Sequence, residues 1–349
     1  MFRCSADHSG DTSGDMMRID AHAHILASGA KPGVTRFLKD RARGYFQVAG
    51  RLPYDRAPTD EDWEPVLKMF APISPEFCIE DHDKVGVDKT VILGVSPSEY
   101  TAYQVRGTLD PLGMTDVPGP VSLDKGNDYM AAIKRKYPDK FIAMASVNPL
   151  YRGPQAAVAE LERAITGLNL DGLKLYPGID QYSPDDRDLA FPIYAKADEL
   201  GIPVMIHMGL CSAADPSLRY ERPWLLDDVG RHFPDLHVLV CHIGWPWVDE
   251  CIALVSKQPN FWFDMAFVNS LYSRREMFEF LHRCKRCGVP LYKVCWGNDW
   301  PCFEPLESLY DKFAGMNEEA ETAGLQPFTD KEMSYMFGGS FLLFAGLES

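Results

Sequence analysis

Short runs of aliphatic and β-branched residues alternate with amphipathic stretches along most of this 349-residue chain. Such runs, bounded by turn residues, read as strands buried on both faces, and the intervening 3.6-residue periodicity reads as helices covering them. MRID (17–20) predicts a first strand that opens directly into AHAH. KTVILGV (89–95), FIAMASV (141–147), DGLKLYP (171–177), IPVMIHMG (202–209), LHVLVCHIG (236–244), NFWFDMA (260–266) and LYKVCWGND (291–299) predict seven more. Helices are expected over 60–70, 74–86, 123–137, 154–167, 187–200, 223–232, 247–257 and 273–287, with two or three more closing the chain. Two passages lack this rhythm: a Gly-, Arg- and Pro-rich stretch from the first strand to about Asp60, and a Pro- and Gly-containing excursion over 96–122.

Strand–helix alternation makes a parallel sheet with helices on its faces. Eight such units predict a single-domain (β/α)8 TIM barrel over 17–349, with loop insertions after strands one and two and a disordered leader over 1–16. A doubly wound open sheet is the rival, but no G-x-G-x-x-G follows the first strand.

Composition removes several classes of function. A net charge of −15 argues against nucleic acid or an anionic membrane as partner. No stretch of about 18 apolar residues is long enough to span a bilayer. The N-terminus has neither the apolar core nor the cleavage pattern of a secretory signal. Nine cysteines, with a lone C-x-x-C at Cys284 and Cys287, suggest neither a disulfide framework nor a zinc knuckle. The expectation is a cytoplasmic enzyme acting on a small molecule, as a monomer or a homodimer.

The chemistry gathers where the strands end. His22 and His24 follow strand one, Lys174 lies in strand four, His207 ends strand five, His242 ends strand six and Asp299 ends strand eight. These are the C-terminal strand ends where barrel enzymes build their sites, and only barrel closure brings strands one and eight together. A single histidine here would be read as a hydrogen-bonded structural residue; four of them with an aspartate at matching positions form a donor set. Three imidazoles and one carboxylate suit one divalent ion, zinc first, with manganese or iron as alternatives.

RIDAHAH, VMIHMG, VLVCHIGWPW and VCWGNDWP together resemble the signature stretches of the amidohydrolase superfamily, and are most similar to its amidohydrolase-related branch, which holds aminocarboxymuconate semialdehyde decarboxylase and several hydrolases. The resemblance runs from about residue 17 to 345. It implies a metal held by His22, His24, His207 and Asp299, with His242 and Asp299 as the catalytic groups beside it. Lys174 stands near the position of a bridging lysine in binuclear relatives and is read either as a cation for a substrate carboxylate or as a structural lysine. Trp245 and Trp300 are candidate walls for a flat substrate, with barrel packing as the alternative for them and for Trp247 and Trp296. Arg51, Arg56 and Arg106 are candidate grips in the long loops. The leading expectation is a hydrolase using activated water on a cyclic or aromatic ester, lactone or amide; the alternative is a non-oxidative decarboxylase of an aromatic or muconate-type acid.

Overall fold

The computed structural model describes residues 16–25, 39, 43–48, 50–69, 74–93, 123–150, 153–211, 217–301 and 304–347. Eight parallel strands pair in sequence order: β1 (Ile19–His24), β2 (Lys89–Leu93), β3 (Phe141–Ser146), β4 (Gly172–Leu175), β5 (Val204–His207), β6 (Val238–Cys241), β7 (Phe261–Asp264) and β8 (Val294–Cys295). The seam closes beyond β8. Ala21 N–H donates to Trp296 O at 3.0 Å, His24 N–H donates to Trp300 O at 2.8 Å, and Ala23 bridges Trp300 in parallel. The result is the nearly closed TIM barrel expected from the alternation of elements.

Alternation along each strand divides the apolar residues into two sets. Leu173, Leu175, Val204, Ile206, Val238, Val240, Phe261 and Phe263 point outward and pack under the helices. Val91, Leu93, Ile142, Met144, Met205, Leu239, Cys241, Trp262 and Cys295 fill the barrel interior, which the C-terminal helix Ser340–Ala345 plugs with Phe341, Leu342 and Phe344. β1 breaks the alternation. Ile19 and Ala21 belong to the interior set and Ala23 to the outer one, because the pairing with β2 slips between Asp20 and Ala23. Three residues of β1 advance there against two of β2, a bulge that resets the alternation so that His22 and His24 both face inward.

Several boundaries differ from expectation for local reasons. The sixth strand stops at Cys241 because His242 (φ 58°) and Ile243 (φ 45°) take left-handed backbone, which no ladder accommodates. Only Val294 and Cys295 of the expected 291–299 strand join the ladder, since Leu291–Lys293 coils into a single tight turn before it. The 223–232 helix is a short 3-10 turn, Pro223–Leu226, followed by Asp227–His232. Ser74 and Ser273 cap the helices Pro75–Lys84 and Arg274–Arg286 through their side chains. Cys284 is buried and Cys287 exposed at the end of the latter helix. Among the described residues no helix is long and apolar enough to cross a membrane. The 96–122 excursion and the leader up to residue 15 lie outside the described residues; Met16 and Met17 pack on Gly339 and Gly338, where an added Cβ would meet Met16 Sδ at 2.9 Å.

Candidate metal centre

At the C-terminal mouth of the barrel three strands and one loop converge. His22 and His24 come from the bulged β1, Asp264 ends β7, and Asp299 sits in the loop after β8 between the two seam residues Trp296 and Trp300. A ligand atom of each of His22, His24 and Asp299 lies within 4.8 Å of the others'. His24 Nε2 is 2.9 Å and His22 Nε2 3.5 Å from Asp299 Oδ1.

The other ring nitrogens fix the tautomers. His22 Nδ1 donates to Asp264 Oδ2 at 2.9 Å and His24 Nδ1 donates to Leu93 O at 3.3 Å. His242 Nδ1 donates to Ala266 O at 3.3 Å, which leaves its Nε2 to accept from His207 Nδ1 at 3.1 Å. Each of His22, His24 and His207 therefore turns an unprotonated Nε2 toward the mouth. His22 Nε2 and His207 Nε2 are buried without a hydrogen-bond partner, and His24 Nε2 faces a carboxylate oxygen. Lone pairs meeting one another and a carboxylate repel unless a cation lies between them. A carboxylate or carbonyl on the far nitrogen of each ring is also how metal-binding imidazoles are aimed. The residues fit a divalent ion.

Electrostatics point the same way. Burial, reinforced by Lys174, holds His22 well below the ordinary imidazole range, and burial with His242 does the same to His207. Burial also lowers His242 to about 3. Burial raises Asp264. Burial would raise Asp299 too, but the His24 hydrogen bond and the charges of His22, His24 and His242 outweigh it and hold this carboxyl well below its usual range. Neutral imidazoles beside an ionised carboxylate are the protonation states a metal requires.

Of the predicted ligands, His22, His24 and Asp299 come together. His207 stands one imidazole away, and a ligand atom of it groups instead with Cys211 and Glu221 within 4.8 Å. His242 is the first residue after β6, its backbone N–H anchored on Asp264 Oδ1 at 2.7 Å. Lys174 lies wholly inside the barrel beneath these groups, with Nζ 2.7 Å from Cys241 Sγ and 5.1 Å over the Tyr176 ring. Trp245 keeps a half-buried place at the mouth beside Phe267. Trp300 does not form a substrate wall: it is 3% exposed, donates Nε1–H to Asp81 Oδ2 at 2.9 Å, and packs its ring on Phe77 and His82 behind β1. Trp296 is likewise core, against Tyr310, Phe313 and Phe337. Arg56 is exposed and paired with Asp62. Arg51 keeps Nε and Nη2 buried with no hydrogen-bond partner among the described residues, and Arg106 lies outside them.

Two carboxylates went unremarked in the sequence. Asp264, in FWFDMA, orients His22 and His242 together. Asp20, in RIDAHAH, receives the His22 N–H freed by the bulge at 3.0 Å, the Asn298 N–H at 3.2 Å, the Asn298 side-chain amide at 2.8 Å and His82 Nε2 at 2.9 Å. It thereby ties the bulge to the loop that carries Asp299. Only strand parity and position at a strand end marked them, and both had been read as ordinary strand residues.

A barrel with this donor set at its C-terminal mouth defines a metal-site enzyme class. The amidohydrolase family model matches residues 117–339, and the chain belongs to that family. It is 26% identical over 251 residues to a 2-amino-3-carboxymuconate-6-semialdehyde decarboxylase of Dictyostelium discoideum, covering 64% of this chain and 66% of that one. Among solved structures, an uncharacterized TIM-barrel protein of Bordetella bronchiseptica superposes with a TM-score of 0.66 at 23% identity, over 95% of this chain and 100% of that one. A 5-carboxyvanillate decarboxylase of Novosphingobium aromaticivorans, solved with manganese and 4-hydroxy-3-methoxy-5-nitrobenzoic acid, gives 0.64 at 17% identity over 96% and 97%. The hydrolytic expectation is corrected by these matches: the relative and the neighbour with a stated activity are both decarboxylases, which was the alternative. The motifs could not decide it, because one donor set serves either reaction.

Proposed function

We propose that this protein is a divalent-metal-dependent, non-oxidative decarboxylase of a small aromatic or unsaturated carboxylic acid. The observation that carries this reading is the mouth itself, three bare imidazole nitrogens and an ionised Asp299, in a chain whose matched relative removes carbon dioxide from a muconate-type acid. His22, His24 and Asp299 would hold the ion with His207 completing the set, and manganese in the aromatic-acid decarboxylase neighbour supports a divalent ion without singling out zinc. When bound, such an ion supplies a Lewis acid that polarises a substrate oxygen.

The reaction exchanges a carboxylate for a proton. The bond between ring carbon and carboxyl carbon breaks, its electron pair stays on the ring carbon, carbon dioxide leaves, and one proton arrives at that carbon. Asp299 is placed to carry that proton on the oxygen not facing His24. His242, held by Asp264 and Ala266, presents Nε2 to the same space and orients the acid. The half-buried Trp245 bounds the mouth on one side. A carboxylate substrate also needs a cationic grip, and Arg51, with buried N–H groups and no partner among the described residues, supplies one.

The test is product analysis of metal-replete protein on a panel of hydroxybenzoates, carboxyvanillate-type acids and muconate-type acids, alongside lactones and amides. Release of one carbon dioxide per substrate without net water consumption is expected, with Arg51→Ala raising KM more than it lowers kcat. Turnover of the lactones or amides alone would overturn the proposal.

A further inference from the structure

Beside the main donor set lies a second cluster that decarboxylation does not use. Cys211 and Glu221 flank the segment joining β5 to the Pro223–Leu226 turn, and a ligand atom of each lies within 4.8 Å of one from His207. The cluster is built rather than incidental. Glu221 is fully buried. Its backbone carbonyl accepts from Gly209 N–H at 2.6 Å and its Oε2 accepts from Cys211 N–H at 3.2 Å, so one residue clamps the chain leaving β5 at two points. Its carboxyl lies against the Cα of Gly178, where any side chain would collide: a Cβ there would stand 2.3 Å from Oε1. Oε1 itself has no hydrogen-bond partner, and neither does His207 Nε2. Two buried acceptors without donors, next to a thiol, are costly unless something cationic joins them.

We infer that Cys211, Glu221 and His207 form a second cation site, adjacent to the main one and selective for a thiophilic divalent ion such as zinc. Thiolate, imidazole and carboxylate are the three ligand types zinc favours, and three protein ligands leave its fourth position open. Bonds of about 2.0–2.3 Å set donor atoms roughly 3.5 Å apart, which the cluster reaches by rotamer adjustment. Binding replaces the Cys211 S–H bond with a sulfur–metal bond and releases that proton to solvent. A harder ion such as manganese gains little from sulfur and stays in the oxygen- and nitrogen-rich set formed by His22, His24 and Asp299. His207 belongs to both sets, so filling the second site withdraws its Nε2 from the first. Excess zinc therefore inhibits a manganese-loaded enzyme.

Cobalt(II) is the probe, titrated into the metal-free full-length chain. The wild type is expected to develop a sulfur-to-cobalt charge-transfer band in the near ultraviolet as the second equivalent binds. Cys211→Ser abolishes that band while the visible ligand-field bands of the first equivalent persist, and Glu221→Gln shifts its midpoint to at least about tenfold higher cobalt. The His22→Ala/His24→Ala double variant removes the first equivalent and keeps the band, which separates this site from the decarboxylase reading. No charge-transfer band in the wild type, a band that survives Cys211→Ser, or a midpoint unmoved by Glu221→Gln would each overturn the three-ligand site.

Discussion

The two ends of the barrel interior are built from the same eight strands and are chemically opposite. The lower end is apolar throughout, Ile19, Val91, Ile142, Met205, Leu239 and Trp262 packing on Phe341, Leu342 and Phe344. One or two residues further along the same strands the inward positions become His22, His24, Lys174, His207 and Asp264. The lower end has nothing to titrate and little to do but exclude water. The upper end holds buried groups whose lone pairs lack protein partners, an arrangement that would destabilise the fold on its own and is tolerated because the layer beneath is densely packed. Stability and chemistry are thus stacked along one axis.

The contrast can be broken most severely from above. Asp299→Asn keeps the size of the side chain but removes the charge facing His24 and the capacity to carry a proton, so turnover should fall by about 10²–10⁴-fold in steady-state assays while the folded fraction holds. Near-wild-type turnover by a metal-loaded Asn variant would remove Asp299 from the chemistry. Struck from below, the same barrel should respond in the opposite currency: Phe341→Ala opens a cavity under the strands and should cost about 3–5 kcal/mol in chemical denaturation, with turnover per folded molecule unchanged. A selective loss of turnover there would show that the two ends are coupled.

Asp264 tests the layer between. Asp264→Asn leaves a neutral amide against His22 and the His242 backbone, and divalent-metal affinity should weaken about 10–100-fold by calorimetric titration. Affinity equal to wild type would mean that β1 aims His22 unaided. The smallest effect is on pH. His22, His207 and His242 are held by burial below their unfolded value of 6.5, so the native state refuses protons that the unfolded chain accepts. Stability of metal-free protein should fall as pH drops below that value, by up to about 1.4 kcal/mol per pH unit for each imidazole. His82 acts on the other side: burial opposes its charge, but Cys78 and Asp20 raise it well above 6.5, so its contribution is lost as pH rises through its folded value. Urea midpoints across the neutral range should therefore peak near 6.5; a curve flat toward acid would contradict the buried neutral histidines.

Most of the barrel was legible because strand–helix alternation is a property of local sequence, and His22, His24, His207, His242 and Asp299 were legible because their residue types are rare at strand ends. What escaped needed three dimensions. Asp20 and Asp264 look like ordinary strand residues until the seam brings β7, β8 and β1 together. Trp300 looked like a substrate wall because it adjoins Asp299, yet the seam hydrogen bond to His24 sends its ring outward onto Phe77. Glu221 gave no signal at all, since its importance comes from Gly178, forty-three positions earlier, lacking a side chain.

The bulge in β1 also sets a height. Were Ala21 deleted, regular alternation would still aim both imidazoles at the axis, but the HAH segment would be drawn toward the floor by one residue, about 3.3 Å. Asp299 is anchored independently, through Asn298 and the seam at Trp300, and would not descend with it. The extra residue acts as a shim that levels donors on one strand with an acid on another. Single-residue length changes in β1 should consequently be far more damaging than any substitution at Ala21, although that position touches no substrate and contributes no chemistry of its own.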